Sequence, residues 1–379
     1  MKNARAANMM RCFPILGVLA VACTVESVPP TPTSDNSESE PVDESPVACV
    51  ADLLALERSD VTIEPQRDHH ATLVRETSNG PFLYVLGGGT DEFRAVHADI
   101  QRAEIRGDGS LGAFSKIGEL PRGRAGTGVA VVRDVIILTG GVSLDTSPPI
   151  VKETIYARIG EDGSIGEWKT GPDLPRGVMH PSSVASGDWV YVFGGTTGND
   201  ATTVSVRAKL EPDGKLSDFE PTTKLSPARS HQAAFVHGGF IYLAGGLSEG
   251  PQTNPPSRTD VVRAEIRPDG SLGEWLEAGT LPVPLSVSSA EVRGCSVYFF
   301  GGLSNNKSSK PFTDTVLRGT LAEDGSVIDV VVERSKLSVE RGHVHQTPSY
   351  GKFIYSVGGR GNDALSSLGT VDVGTFSAP

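Results

Sequence analysis

Five leucines, Leu120, Leu174, Leu225, Leu281 and Leu337, close similar stretches of the chain, and six positions after each stand Gly126, His180, His231, Val287 and His343. Ahead of them His70 is expected at the equivalent place, once a longer hairpin is allowed for. Arginines crowd the same connections: Arg67, Arg122, Arg124, Arg176, Arg229 and Arg341. Imidazole can donate or accept a hydrogen bond, and guanidinium recognises carboxylates in bidentate fashion. The residues His70, Arg122, Arg124, Arg176, His180, Arg229, His231, Arg341 and His343 therefore form the candidate ligand-binding set, suited to an anionic or polyhydroxylated ligand. A structural reading stands beside it, in which these side chains bond loop carbonyls and hold the fold together. A metal site is not expected, because imidazoles from separate repeats would lie too far apart for bonds of about 2.1 Å.

Nothing else in the chain has the spacing of known chemistry. There is no Ser-His-Asp arrangement, no phosphate-cradling glycine loop and no metal-spaced cysteine set, so catalytic residues stay unassigned and no cofactor is expected.

The elements that must position these residues are repeats. A β-branched or aromatic run ending in Gly-Gly occurs six times, at Gly87-Gly88, Gly140-Gly141, Gly194-Gly195, Gly245-Gly246, Gly301-Gly302 and Gly358-Gly359. Each run reads as a strand whose exit requires backbone angles or close approaches that a Cβ forbids. Asp-Gly pairs follow at Asp108-Gly109, Asp162-Gly163, Asp213-Gly214, Asp269-Gly270 and Asp324-Gly325. Between strands such pairs predict type I′ hairpins. The first four are followed by an aromatic, Phe114, Trp168, Phe219 and Trp275, and the fifth by Val331.

This pattern resembles the Kelch family across residues 50–379, in which a unit of about 50 residues makes one four-stranded propeller blade. The resemblance implies an all-β, six-bladed β-propeller. Six Gly-Gly strands against five Asp-Gly hairpins leave the last blade one strand short. Val47–Leu56 is expected to supply it, closing the ring and covering a bare sheet edge, or else to form a short helix outside the propeller. The d-to-a and b-to-c connections should share one face, where loops of unequal length such as 142–151 and 247–259 are the expected binding surface.

Composition agrees with an all-β chain: 44 glycines and 26 prolines among 379 residues, with few aromatics. The net charge of −12 becomes about −15 when Lys2, Arg5 and Arg11 leave with a leader, a field that repels phosphate backbones. Nucleic acid is thereby excluded as a partner. Residues 1–22 read as a signal peptide, too short in its apolar core to span a membrane. Its end, Leu19-Ala20-Val21-Ala22-Cys23, resembles the lipobox of bacterial lipoproteins, in which the cysteine is acylated. Ala20 stands where that family prefers leucine, and an ordinary Ala20-Val21-Ala22 cleavage site is the alternative. Residues 23–46 then form an acidic, proline-rich tether with too little apolar bulk to fold, and 47–379 the propeller. Cys49 and Cys295 are the remaining possible pair, with nothing in the sequence placing them within bonding distance.

Two functions are compatible with this reading. The first is a monomeric binding module at a bacterial cell envelope, lipid-anchored at the outer membrane or cell surface, that presents its loop face to a protein or carbohydrate; a soluble periplasmic or secreted form is the alternative. The second is a sugar-active enzyme of epimerase or mutarotase type working through the His/Arg funnel, since the sequence also resembles bacterial sialic-acid epimerases of six-bladed Kelch form. Galactose oxidase shares the propeller type, but its copper chemistry needs a cysteine-linked tyrosine, and Cys295 lies within a strand repeat.

Overall fold

The computed structural model describes residues 53–91, 93–198, 200–248, 257–304 and 308–377. The proposed leader, Cys23 and the tether lie outside them. The described residues contain six four-stranded antiparallel sheets. In the first blade, Ala71–Thr77, Gly80–Leu86, Asp99–Glu104 and Ser115–Glu119 run in order from the innermost strand outward. Blades two to five repeat this order, with innermost strands Gly128–Val132, Ser182–Ser186, Ala233–His237 and Ser289–Arg293. The second strand of each blade is buried on both faces, as in Val135–Thr139 and Ser296–Phe300, which explains why these segments read as unbroken apolar runs. The core is correspondingly split into clusters between successive blades, each filled by second-strand side chains such as Tyr84, Tyr191, Phe193 and Phe299.

The sixth blade is composite. Ser349–Tyr350, Phe353–Val357 and Thr370–Ser377 come from the end of the chain, and Leu53–Thr62 pairs antiparallel with Thr370–Ser377 as the outermost strand. Ring closure by the N-terminal segment is thus observed, with the strand centred six residues later than the apolar composition suggested. An outermost strand needs only one apolar face. Leu54 and Leu56 pack against Phe376 and Tyr298, while Ala55 and Glu57 face solvent; the alternation, and not the apolar total, sets the strand. Residues 47–52 are outside the described set. Cys295 is disulfide-bonded, and its partner lies outside the described residues.

Three sets of contacts join neighbouring blades. The second glycine of each Gly-Gly pair donates its N–H to a carbonyl of the following connection: Gly88 to Arg124, Gly141 to Val178, Gly195 to Arg229, Gly246 to Leu285, Gly302 to Arg341, and Gly359 back to Arg67, at 2.7–3.1 Å. The first glycine approaches the same carbonyl so closely that a Cβ at Gly245 would lie 2.1 Å from the Leu285 oxygen, and its φ is +60°. Tyrosines of the second strands supply the next set, Tyr84, Tyr191, Tyr242 and Tyr355 donating to Gly163, Gly270, Gly325 and Gly109 in the following blade. The Asp-Gly hairpins are therefore docking points as well as turns. They are not type I′, which needs positive φ at both central residues: Gly109 has φ +87° and Asp108 does not. Asp108 instead accepts from the N–H and hydroxyl of Ser110, and Gly109 donates to Arg106, leaving only the glycine left-handed.

Candidate functional site

The third set of contacts surrounds the axis. Where each connection enters its innermost strand, one residue adopts a left-handed backbone: His69, Gly126, His180, His231, Val287 and His343, with φ between +52° and +61°. Each donates its N–H to the carbonyl of the previous one, from Gly126 to His69 round to His343 to Val287, and His69 closes the circle on His343 at 3.0 Å. Histidine is among the residues that tolerate this conformation, and a β-branched valine is not. The expectation for the first blade is corrected here. His69 holds the ring position, and His70, one residue on, points between blades one and six near Gly358. The slip arose because the first connection has no anchoring leucine.

The arginines do not form a basic funnel. Arg67, Arg124, Arg229 and Arg341 stand two residues before a ring position, and all four are fully buried. Each turns into its own blade, pairing with Asp99, Glu153, Asp260 or Asp372 and donating to the carbonyl of the first paired glycine, Gly87, Gly140, Gly245 or Gly358. Each therefore clamps two blades, its side chain holding one and its carbonyl the glycine of the blade before. Burial lowers the pKa of Arg124, Arg229 and Arg341, and the carboxylates oppose the shift. Blades three and five have Val178 and Leu285 in place of arginine, and Val204 and Thr315 where blades one, two and four carry the carboxylate; in blade six that position is Thr370, and Asp372 stands two residues on. Of the other two arginines, Arg122 is half-exposed beside Glu153 and Arg176 is exposed.

The histidines, by contrast, converge. The rings of His180 and His231 stack at 3.9 Å between centroids, those of His69 and His343 lie 4.0 Å apart, and His69 and His180 4.8 Å. His345, two residues beyond the ring position of the last blade, joins them at 5.7 Å from both His69 and His180. Phe93 and Phe312 border the group. Nitrogens of His69, His180, His343 and His345 all lie within 4.8 Å of one another, which corrects the expectation that imidazoles from different blades could not meet. The Nδ1 of His69 is held by the Asp68 carboxylate, which also accepts from the Ser367 hydroxyl and pairs with Arg360. His231 Nδ1 bonds the Ser230 hydroxyl. His180 Nδ1, His343 Nδ1 and His345 Nε2 are buried without a protein partner, a state that costs roughly 1–3 kcal/mol per group. Desolvation, then mutual repulsion, holds His69, His180 and His343 well below the ordinary imidazole range, and burial lowers His231 to about 3 and His345 to about 4.

His345 also lines a cavity of 330 Å³ on the axis, walled by the innermost strands through residues such as Thr72, Ser183, Gln232 and Glu291. Glu291 is the carboxylate among the described lining residues, raised by burial to about 6 although Ser349 donates to it. Asp68, Glu291 and His345 escaped sequence reasoning because none recurs from blade to blade.

The connections with other proteins are consistent with this architecture. No family model matches the chain. It is 21% identical over 305 residues to beta-scruin of Limulus polyphemus, covering 79% of this chain and 32% of scruin. It is 23% identical over 251 residues to the Kelch repeat and BTB domain-containing protein 1 of cowpox virus, covering 66% of this chain and 40% of that one. The chain thus spans about a third to two-fifths of these relatives. The solved structure of YjhT superposes with a TM-score of 0.61 at 10% identity, over 82% of this chain and 95% of YjhT. At that identity the likeness is one of fold, and the fold is a Kelch-type β-propeller.

Proposed function

We propose that this Kelch-type β-propeller is an interaction module, exported and held at a bacterial envelope through an acylated Cys23, that presents its loop face to a protein ligand. The observation that carries this reading is the fate of the arginines. With Arg67, Arg124, Arg229 and Arg341 internally paired, the variation between blades is left to the b-to-c loops. These loops share a face with the histidine ring, since each connection bridges the start of a loop, as in Ala125 with Val142 and Ser286 with Leu303. Apolar side chains stand out from them, Leu144 at 54% exposure and Leu365 at 37%, and isolated polar loops would not need such anchors.

The test compares variants on the two faces by cross-linking on intact cells. Leu144→Asp and Leu365→Asp should abolish a cross-linked partner band that a change in the opposite-face hairpin, Asp213→Lys, leaves intact; equal loss from both faces would overturn the loop-face assignment. Mass spectrometry of the mature N-terminus should find an acylated Cys23, and an unmodified cysteine in the soluble fraction would remove the anchor. A sugar-active enzyme has one observation in its favour, the axial cavity that Glu291 and His345 both line. A glycan array including sialic and uronic acids, followed by NMR of anomer or epimer interconversion on any sugar bound, decides it: interconversion by wild type that Glu291→Gln loses would favour the enzyme reading, and binding without interconversion the module.

A further inference from the structure

We infer that His69, His180, His343 and His345 form a binding site for one divalent transition-metal ion on the propeller axis. The ligand atoms already lie within 4.8 Å of one another. With bonds of about 2.1 Å, ligands sit about 3.4 Å apart in a tetrahedron and about 4.2 Å apart when trans, so rotations of the imidazoles about their side-chain bonds suffice to close the site. The backbone need not move, because the three ring-position histidines are fixed by the circle of hydrogen bonds and His345 follows two residues later.

Three details favour an ion over a stack of inert imidazoles. His180 Nδ1, His343 Nδ1 and His345 Nε2 are buried and make no bond to protein, so their lone pairs are available. The Asp68 carboxylate on His69 Nδ1 leaves Nε2 as the coordinating atom, the arrangement in which an outer carboxylate orients a metal-ligating imidazole. Space is also kept for the cluster: a Cβ on Gly126 would meet the His180 ring at 2.9 Å. Left-handed backbone alone would be served as well by glycine or asparagine, and gives no reason for His345, which lies outside the ring.

All-imidazole ligation suits zinc, copper, nickel or cobalt over calcium or magnesium, which take oxygen ligands. The ion would tie blades one, three and six across the axis. Through His345 it would also form an end wall of the axial cavity.

The test uses the full chain, stripped with EDTA and kept without reductant so that the Cys295 disulfide persists. Titration with Zn²⁺ should show one equivalent bound with a raised melting temperature, and Co²⁺ should give a saturable visible d–d band that Zn²⁺ displaces. His180→Gln and His345→Gln should each weaken binding at least tenfold, while metal-free variants melt within a few degrees of wild type; His237→Ala should change nothing. Failure of the stripped wild type to bind either metal stoichiometrically would overturn the site. So would undiminished Co²⁺ binding in both folded glutamine variants.

Discussion

Replacing Arg229 by alanine separates an internal clamp from a ligand contact. The guanidinium is fully buried, lies 2.8 Å from Asp260 and donates to the Gly245 carbonyl. Breaking a buried pair costs about 3–5 kcal/mol because the remaining charge is left uncompensated. Asp260 is 27% exposed and keeps Arg258 at 2.7 Å, so the lower end applies, about 3 kcal/mol. At about 2–4 °C per kcal/mol for a large domain, the melting temperature should fall by about 6–12 °C. Blade three shows what the fold accepts instead, Val178 facing a blade whose carboxylate position is Val204. The double variant Arg229→Val, Asp260→Val should therefore recover at least half of the loss, since well-packed apolar pairs replace buried ion pairs at little cost. Scanning calorimetry on the three variants measures this. An Arg229→Ala protein melting within about 2 °C of wild type, with any ligand affinity reduced, would refute the internal role and restore the funnel.

The metal-free protein should lose stability on acidification. His70, His231 and His345 have folded pKa values of about 3, 3 and 4, so below the unfolded value near 6.5 the unfolded chain binds more protons, at about 1.4 kcal/mol per histidine per pH unit. That stability is present above pH 6.5 and drains away down to the folded values; urea midpoints that stay flat between pH 7 and 5 would contradict it. Deleting residues 24–46 should leave the melting temperature unchanged, whereas deleting 24–62 removes the outer strand of the sixth blade and should lower it sharply; equal melts would mean the strand contributes nothing. Tyr191→Phe removes one buried bond to Gly270 and should cost about 1 kcal/mol, read as a shift of a few degrees in the same calorimeter.

The blades were legible because their punctuation is backbone chemistry. Gly-Gly and Asp-Gly mark places where the chain needs left-handed angles whatever surrounds them, and the structure puts both at interblade contacts. The missing outer strand followed from counting. Arginine direction was harder to read, since a charged residue at a strand entry looks the same whether it faces the axis or its own blade. A signal was nonetheless present: blades without the arginine also lack the acid, Val178 with Val204 and Leu285 with Thr315. Aligning the first blade on Arg67 would likewise have selected His69. The convergence of the imidazoles was not legible, because the ring's tightness is set by closure of all six blades and the position of His345 carries no histidine in the other five.

The closing strand carries a consequence for how the chain folds. Leu53 pairs with Ser377 and Thr62 with Thr370, so the first strand of the propeller to leave the ribosome has its partner in the propeller's last strand. At about 5–20 residues per second of synthesis it waits some tens of seconds, and both circles of hydrogen bonds stay open until then. Blades one to five can pair their own strands early, since those contacts are local, while final assembly must bring distant ends together and is slow for that reason. A nascent propeller is thus held short of its native state until its last strand has been made.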